Sequence, residues 1–279
     1  MRGVNKKINC PKCGWHKWKT KIKHQQYQCR KCGHITGEII KPITCGLVSI
    51  IIPTHKARDL SMVLKAINTS AYRNVEIIIV GEGKERSIQR NIGIDRAKGD
   101  YLLFLDSDMV ITPTLIGKCV GLIHYCNGIY IPEVIKTKGL FARIRNWERQ
   151  FYTGTAVDVV RFVRKDKCPY FDEWMSGPED SDWDRKIENK MVLKGDCYYH
   201  YEDVNMIEWF RKKIYYTRSM QRFQDKNPND KILKFWWRCF GVFFEQSKWK
   251  KVLKRPDLMF MVWVMIFVRG IIYLWNKKS

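Results

Sequence analysis

Ala97-Lys-Gly-Asp-Tyr-Leu-Leu-Phe-Leu-Asp-Ser-Asp108 is the stretch that decides the fold. Lys98-Gly99 stops the segment before it, Tyr101 to Leu105 is an apolar run of strand length, and two carboxylates stand where the run ends. Upstream, Leu47-Val-Ser-Ile-Ile-Ile52 is a second β-branched run, closed by Pro53-Thr54. Ser61 to Ala71 then sets Met62, Val63, Ala66 and Ile67 at helical spacing. Val75-Glu-Ile-Ile-Ile-Val80 predicts another buried strand, ended by Gly81-Glu82-Gly83, and Ile88 to Ala97 a second helix. Strands alternating with helices predict an α/β fold with parallel pairing, covered on both faces and binding ligands beyond the carboxyl ends of its strands. Asp106 and Asp108 lie at such an end. Two carboxylates flanking one small residue there converge on a hard divalent cation, which neutralises a diphosphate; the plainer alternative is a surface turn in which Asp and Ser bond to backbone amides.

The 279 residues suffice for one large α/β domain plus a small appendage, and a 45% hydrophobic content supplies a core, which excludes general disorder. Lys+Arg 51 against Asp+Glu 28 gives a net charge of +23, a bias toward nucleic acid, anionic headgroups or phosphorylated substrates. No secretory signal pattern opens the sequence, so the ten cysteines fit a reducing, cytosolic setting better than a disulfide framework. Cys45, Cys119, Cys126, Cys168, Cys197 and Cys239 are scattered like small buried hydrophobes. Cys10-Pro-Lys-Cys13 and Cys29-Arg-Lys-Cys32 have instead the spacing of two knuckles closing one tetrahedral Zn²⁺ site, each followed by a glycine. Residues 1–42 are therefore expected to form a zinc ribbon, with a hairpin between the knuckles and folding coupled to metal. Lys17, Lys19, Lys21, Lys23 and Arg30 beside Trp15, Trp18 and Tyr27 make nucleic acid a possible ribbon partner. A structural or protein-contact role is favoured over that one. His16, His24 and His34 are surplus to a site that four thiolates complete.

Several ordered motifs carry a resemblance. Ser49-Ile-Ile-Ile-Pro-Thr54, Arg90-Asn-Ile-Gly-Ile94 and Ala97 to Asp108 resemble, in order and spacing, the family 2 glycosyltransferases. Tyr170-Phe-Asp-Glu173, followed by Gly177-Pro-Glu-Asp-Ser-Asp-Trp-Asp-Arg185, is similar to that family's acceptor-side segment. His200-Tyr-Glu202 and Arg211-Lys-Lys-Ile-Tyr-Tyr216 resemble its later blocks, so the likeness covers roughly residues 46 to 220. It implies a GT-A core over 46–225, a Rossmann-like mixed sheet for a nucleotide-diphosphate sugar, and a metal-dependent inverting transfer. By position it implies Pro53, Thr54, Glu82 and Arg90 at the nucleotide, and Asp106 toward ribose and metal-bound water. It further implies Asp108 and His200 on Mn²⁺ or Mg²⁺, and Asp180 as general base with Glu179 its nearest rival. Apart from the family, Asp180 also suits a helix N-cap and His200 a satisfied, partly buried histidine. Gly81-Glu82-Gly83 stands where the family commonly has Asp-Asp-Gly-Ser, and the Gln-x-x-Arg-Trp block of processive synthases is missing, which favours single-sugar transfer. A nucleotidyltransferase using the same acidic pair and a zinc-ribbon nucleic-acid-binding protein remain the rival readings.

Residues 230–279 are expected to form amphipathic and hydrophobic helices. Leu258-Met-Phe-Met-Val-Trp-Val-Met-Ile-Phe-Val268 continues past Arg269-Gly270 into Ile271-Ile-Tyr-Leu-Trp275, and reaches spanning length only by accepting an interior arginine. Phe235-Trp-Trp-Arg-Cys-Phe-Gly-Val-Phe-Phe244 and Lys248-Trp-Lys-Lys-Val-Leu-Lys-Arg255 pair aromatics with cations, as helices at an anionic headgroup layer do. The expectation is attachment to the cytoplasmic face of a membrane, suited to a glycan or lipid-linked acceptor; the plainer reading is a helix packed back on the core. Donor identity, acceptor identity and oligomeric state are not encoded in any of these motifs.

Overall fold

The computed structural model describes residues 18–21, 26–29, 35–36, 46–55, 58–136, 138–201, 206–217 and 219–278. The chain divides into two compact units, Met1–Cys45 and Gly46–Ser279. In the first, β1 (Trp18–Lys21), β2 (Gln26–Cys29) and β3 (Ile35–Thr36) form an antiparallel sheet in the order β1-β2-β3. The backbone of Cys29 ends β2. The side chain of Cys29 and the other expected zinc ligands, Cys10, Cys13 and Cys32, lie outside the described residues.

The second unit opens with β4 (Val48–Pro53), α1 (Ser61–Asn68), β5 (Val75–Val80), α2 (Arg86–Arg96) and β6 (Tyr101–Phe104). β4 pairs in parallel with both β5 and β6, as alternating strands and helices require. All six residues of β4 are buried, because it lies inside the sheet with α1 and α2 packed near it. Gly93 of α2 permits the approach of helix to strand: a Cβ there would run into the Ile51 side chain. The expected burial of β5 is corrected, since it is the sheet's edge and exposes Ile77 and Ile79.

The chain continues through β7 (Met109–Ile111), α3 (Leu115–Leu122), β8 (Gly128–Tyr130), β9 (Glu133–Ile135) and α4 (Gly139–Tyr152). It then runs through β10 (Phe162–Arg164), α5 (Glu179–Arg185), β11 (Lys190–Val192) and β12 (Tyr198–His200). The main sheet has the order β11-β8-β10-β6-β4-β5, and β10 runs antiparallel to both β6 and β8. Parallel pairing thus holds for the first three strands and is broken where β10 inserts, which makes the sheet mixed. A smaller sheet, β7-β12-β9, brings His200 opposite Met109, one residue past Asp108.

The last elements are α6 (Met206–Thr217), α7 (Met220–Lys226), α8 (Val242–Phe244), α9 (Trp249–Val252) and α10 (Pro256–Lys278). All but α7 share a second core with α4, in which Ile144, Phe151 and Tyr152 meet Trp209, Phe243, Met259, Val262 and Ile266. Arg269 turns inward and donates to Glu148, which also takes Arg145 Nη1 at 2.6 Å and the Tyr152 hydroxyl at 2.5 Å. Burial alone would raise the Glu148 carboxyl; the two guanidiniums outweigh it and hold the group low, at about 2. Among the described residues, no helix is long and apolar enough to cross a membrane.

Candidate active site

The ends of β6, β4 and β5 lie side by side, with Leu105 N donating to Ile51 O at 3.1 Å and Thr54 N to Val80 O at 2.9 Å. Beyond them opens a cleft, at the place where ligands of an α/β sheet bind. Pro53 and Thr54 form one wall and Asp106, Ser107 and Asp108 the other, while Arg58, Arg86 and Gln89 close it. Gln89 Nε2 donates to Thr54 O (2.9 Å) and to Gly83 O (3.2 Å), so α2 holds the first loop in place.

Arg90 is 1% exposed and reaches three carboxylates. Its Nη2 is 3.3 Å from Asp106 Oδ1; its Nη1 bonds Asp180 and lies 3.8 Å from Glu179 Oε1. Arg161 Nη1 approaches the other Asp106 oxygen at 3.7 Å. Burial would raise the Asp106 carboxyl, but Arg161, Arg86 and Arg90 overrule it and keep the group ionised well below the usual carboxylate range. The charge of Asp106 in turn raises Arg86. One guanidinium therefore joins the carboxylate of the cleft to the two that open α5.

Asp108 Oδ2 takes Arg58 Nη2 at 2.7 Å. Its Oδ1 is buried without a hydrogen-bond partner and faces His200 Nε2 at 3.4 Å. His200 Nδ1 lies 2.7 Å from Glu133 Oε1, a contact that aims the other ring nitrogen, Nε2, at Asp108. In the tautomer with its proton on Nδ1, Nε2 and Asp108 Oδ1 both present lone pairs and suit a cation. The donor chemistry of Asp106, Asp108 and His200 fits Mn²⁺, or Mg²⁺ with a mainly oxygen shell. Among the described residues no three His, Cys, Asp or Glu side chains are grouped closely enough to hold a metal ion by themselves, so an ion held here would need phosphate oxygens and water for most of its coordination.

On the far side of Arg90, the Asn91 side chain pins the loop before α5. Its Oδ1 accepts from Phe171 N (2.8 Å), and its Nδ2 donates to Phe171 O (3.1 Å) and Glu173 Oε1 (2.8 Å). Phe171 stacks on Trp183 at 4.6 Å, and Trp183 Nε1 donates to Pro169 O at 2.7 Å, so the loop and α5 move as one. Gly177, at φ +111°, brings the chain against the Tyr216 backbone, where any Cβ would clash. Its N–H bonds Glu179. The Glu179 side chain is 9% exposed and that of Asp180 26%, so Asp180 is the more open to an incoming group. Burial, then the adjacent Asp180, pushes Glu179 up to about 7 against the pull of Arg90.

Pro53, Thr54, Arg90, Asp106, Asp108, Glu179, Asp180 and His200 are thus gathered around one cleft and one arginine. Glu82 is not: it pairs with Arg96 at 3.0 Å on an exposed loop and does not line the cleft. Arg58, Arg86, Gln89, Asn91, Glu133 and Arg161 escaped the sequence reading. Asn91 sat inside a quoted motif, and that was its only signal. The partner of Glu133 is 67 residues away, beyond any spacing rule.

A family model described as "Glycosyl transferase family 2" matches residues 63–174. A protein described as an uncharacterized glycosyltransferase, from Haemophilus influenzae, is 32% identical over 91 residues, which is 22% of this chain and 36% of that relative. The chain thus spans about a third of the curated relative it matches. Among solved structures, S. aureus TarS overlays with a TM-score of 0.45 at 16% identity, covering 76% of this chain and 47% of that one. TarS 1–349 in complex with UDP-GlcNAc overlays at 0.42 and 15% identity, covering 80% and 81%. Both sequence matches are thus to glycosyltransferases, and the family model covers residues 63–174 of this chain.

Proposed function

We propose that this chain is a metal-dependent, inverting, hexosyltransferase-like enzyme with a GT-A core. It moves a single sugar from a nucleotide-diphosphate sugar to a hydroxyl or lipid-phosphate acceptor. One observation carries the reading: Arg90 ties Asp106, at the strand-end cleft, to Asp180, at the opening of α5. That tie supports a reading with a diphosphate-binding side and a proton-accepting side across a single guanidinium.

Asp106, Asp108 and His200 would hold a divalent ion, which when bound would neutralise charge on the leaving diphosphate. Pro53 and Thr54 shape the wall for the nucleotide, and Arg86 and Arg58 add positive charge to the same cleft. The acceptor oxygen attacks the anomeric carbon as the bond to the diphosphate breaks, the bonding pair leaves with the diphosphate, and the acceptor proton passes to Asp180. Attack opposite the leaving group inverts the anomeric centre. A lipid phosphate, already anionic with a second pKa of about 6, needs no base.

The reading extends to both ends of the chain. Cys10, Cys13, Cys29 and Cys32 hold one structural Zn²⁺, a proposal supported by their spacing and by the strand that ends at Cys29. The C-terminal helices attach the enzyme to the cytoplasmic face of a membrane, supported by their aromatic and basic composition. The test is a panel of nucleotide sugars, UDP-GlcNAc included, scored by thermal shift with and without Mn²⁺. A donor raises the melting temperature in a divalent-dependent way. A panel in which only plain nucleotides shift it would favour nucleotidyl transfer.

A further inference from the structure

We infer that the C-terminal helices form a side-on raft for an anionic lipid surface, with α10 lying in the interface plane and only its outward face in contact with lipid. The inference rests on the membrane attachment proposed above and specifies its mode and its residues. α10 is apolar on every side, yet only half of it is covered. Leu258, Met259, Val262, Met265 and Ile266 face the core shared with α4, whereas Phe260 (63%), Val264, Phe267 (50%) and Ile271 stand exposed at spacings of three and four.

This stripe continues onto the preceding segment. The Phe267 ring meets Phe235 at 5.8 Å, Phe235 meets Trp236 at 5.7 Å, Trp236 stacks on Phe240 at 5.7 Å, and Phe240 meets Trp263 at 5.9 Å. Trp236 is 72% exposed. At ~200 Å² per aromatic side chain, the partly exposed rings amount to on the order of 500 Å², the size of a monomer's largest apolar patch, which is often functional.

Charge chooses the occupant. Lys234, Lys250, Lys251 and Lys254 are exposed, and among the described residues none has a carboxylate within ion-pairing distance. The nearby cations that are engaged are different ones: Lys231 pairs with Glu245, Arg255 with Asp257, and the Lys248 ammonium donates to Phe151 O and Thr153 O. Aromatics bordered in sequence by lysines that have no carboxylate partner among the described residues match the boundary between acyl chains and anionic headgroups. A second copy of a chain with net charge +23 would bring like charge against like. Arg269 fixes which face is outward: it is held by Glu148 inside the core, so α10 cannot turn that side to lipid, or cross as a free span, without breaking a buried ion pair.

The experiment is flotation of the full-length protein with vesicles of phosphatidylcholine alone and with about 30% phosphatidylglycerol, for wild type and a Phe260→Glu/Phe267→Glu variant. Wild type is expected to float with the anionic vesicles, to detach in high salt or alkaline carbonate, and to show blue-shifted tryptophan emission when bound. The double variant is expected to lose roughly tenfold or more in binding while keeping its melting temperature and its donor-dependent thermal shift. Undiminished flotation of the variant, or carbonate resistance of the wild type, overturns the side-on mode. A dimer in light scattering that the variant abolishes assigns the face to a second copy and overturns the lipid assignment. Absence of flotation with either vesicle, alongside an intact donor shift, overturns the membrane reading and leaves the enzyme reading standing.

Discussion

Two buried arginines, Arg90 and Arg269, show how the same chemistry serves two purposes. In the core between α4 and α10, Glu148 is fully enclosed and saturated, with Arg145, Arg269 and the Tyr152 hydroxyl around its two oxygens. At the cleft, Asp106 meets its arginines at 3.3 and 3.7 Å, Asp108 keeps one oxygen without a hydrogen bond, and Asp180 is a quarter exposed. The saturated cluster has nothing left to bind and acts as a fastening. The incomplete cluster keeps charge and lone pairs free, at a cost in stability that only a ligand offsets.

The contrast breaks most visibly at Glu148. Glu148→Ala leaves two largely covered arginines without their buried carboxylate and is expected to cost about 3 kcal/mol, read by denaturant unfolding. A loss under about 1 kcal/mol would show that water reaches the cluster and that it is no fastening. Asp180→Asn is expected to keep the fold and the donor-dependent thermal shift while turnover on a hydroxyl acceptor falls by about 10²–10⁴-fold. Substantial residual turnover would move the base to Glu179 or point to a phosphate acceptor.

Glu179 sharpens the comparison through pH. A carboxyl raised from its ordinary 4.5 to about 7 holds more protons folded than unfolded, so its contribution to stability is present at low pH and declines as pH climbs between those values. Glu179→Gln is expected to flatten this part of the stability profile; an unchanged profile would assign the slope to another group. The smallest effect belongs to Arg58, whose pair with Asp108 is half exposed and worth at most about 1 kcal/mol. Arg58→Ala removes a competitor for the Asp108 oxygen, and a Mn²⁺ titration without donor is expected to tighten up to about fivefold. Unchanged affinity would mean that Arg58 yields to the ion at no cost.

What the sequence disclosed was local. Tyr101 to Asp108 states in one line that a buried strand ends in two carboxylates, and Arg90 and Asp180 stand in short motifs of their own. That Arg90 joins Asp106 to Asp180 depends on a contact between positions 90 residues apart, which no periodicity records. Arg161 came into view only because β10 inserts antiparallel beside β6, a pairing that alternating strands and helices do not announce. The exposure of Ile77 and Ile79 was hidden for the same reason, since composition cannot tell an edge strand from a central one. Arg269 read as a flaw in an apolar run until Glu148, 121 residues earlier, gave it a partner.

The central claim is that Asp106 and Asp108 bind a sugar donor's diphosphate through a divalent ion. Isothermal titration of the full chain with a donor identified by thermal shift, with Mn²⁺ and with chelator, tests it most directly when repeated on Asp108→Asn. The account predicts donor binding that needs Mn²⁺ and is lost in the variant. Equal donor affinity with chelator, or in Asp108→Asn, would contradict it.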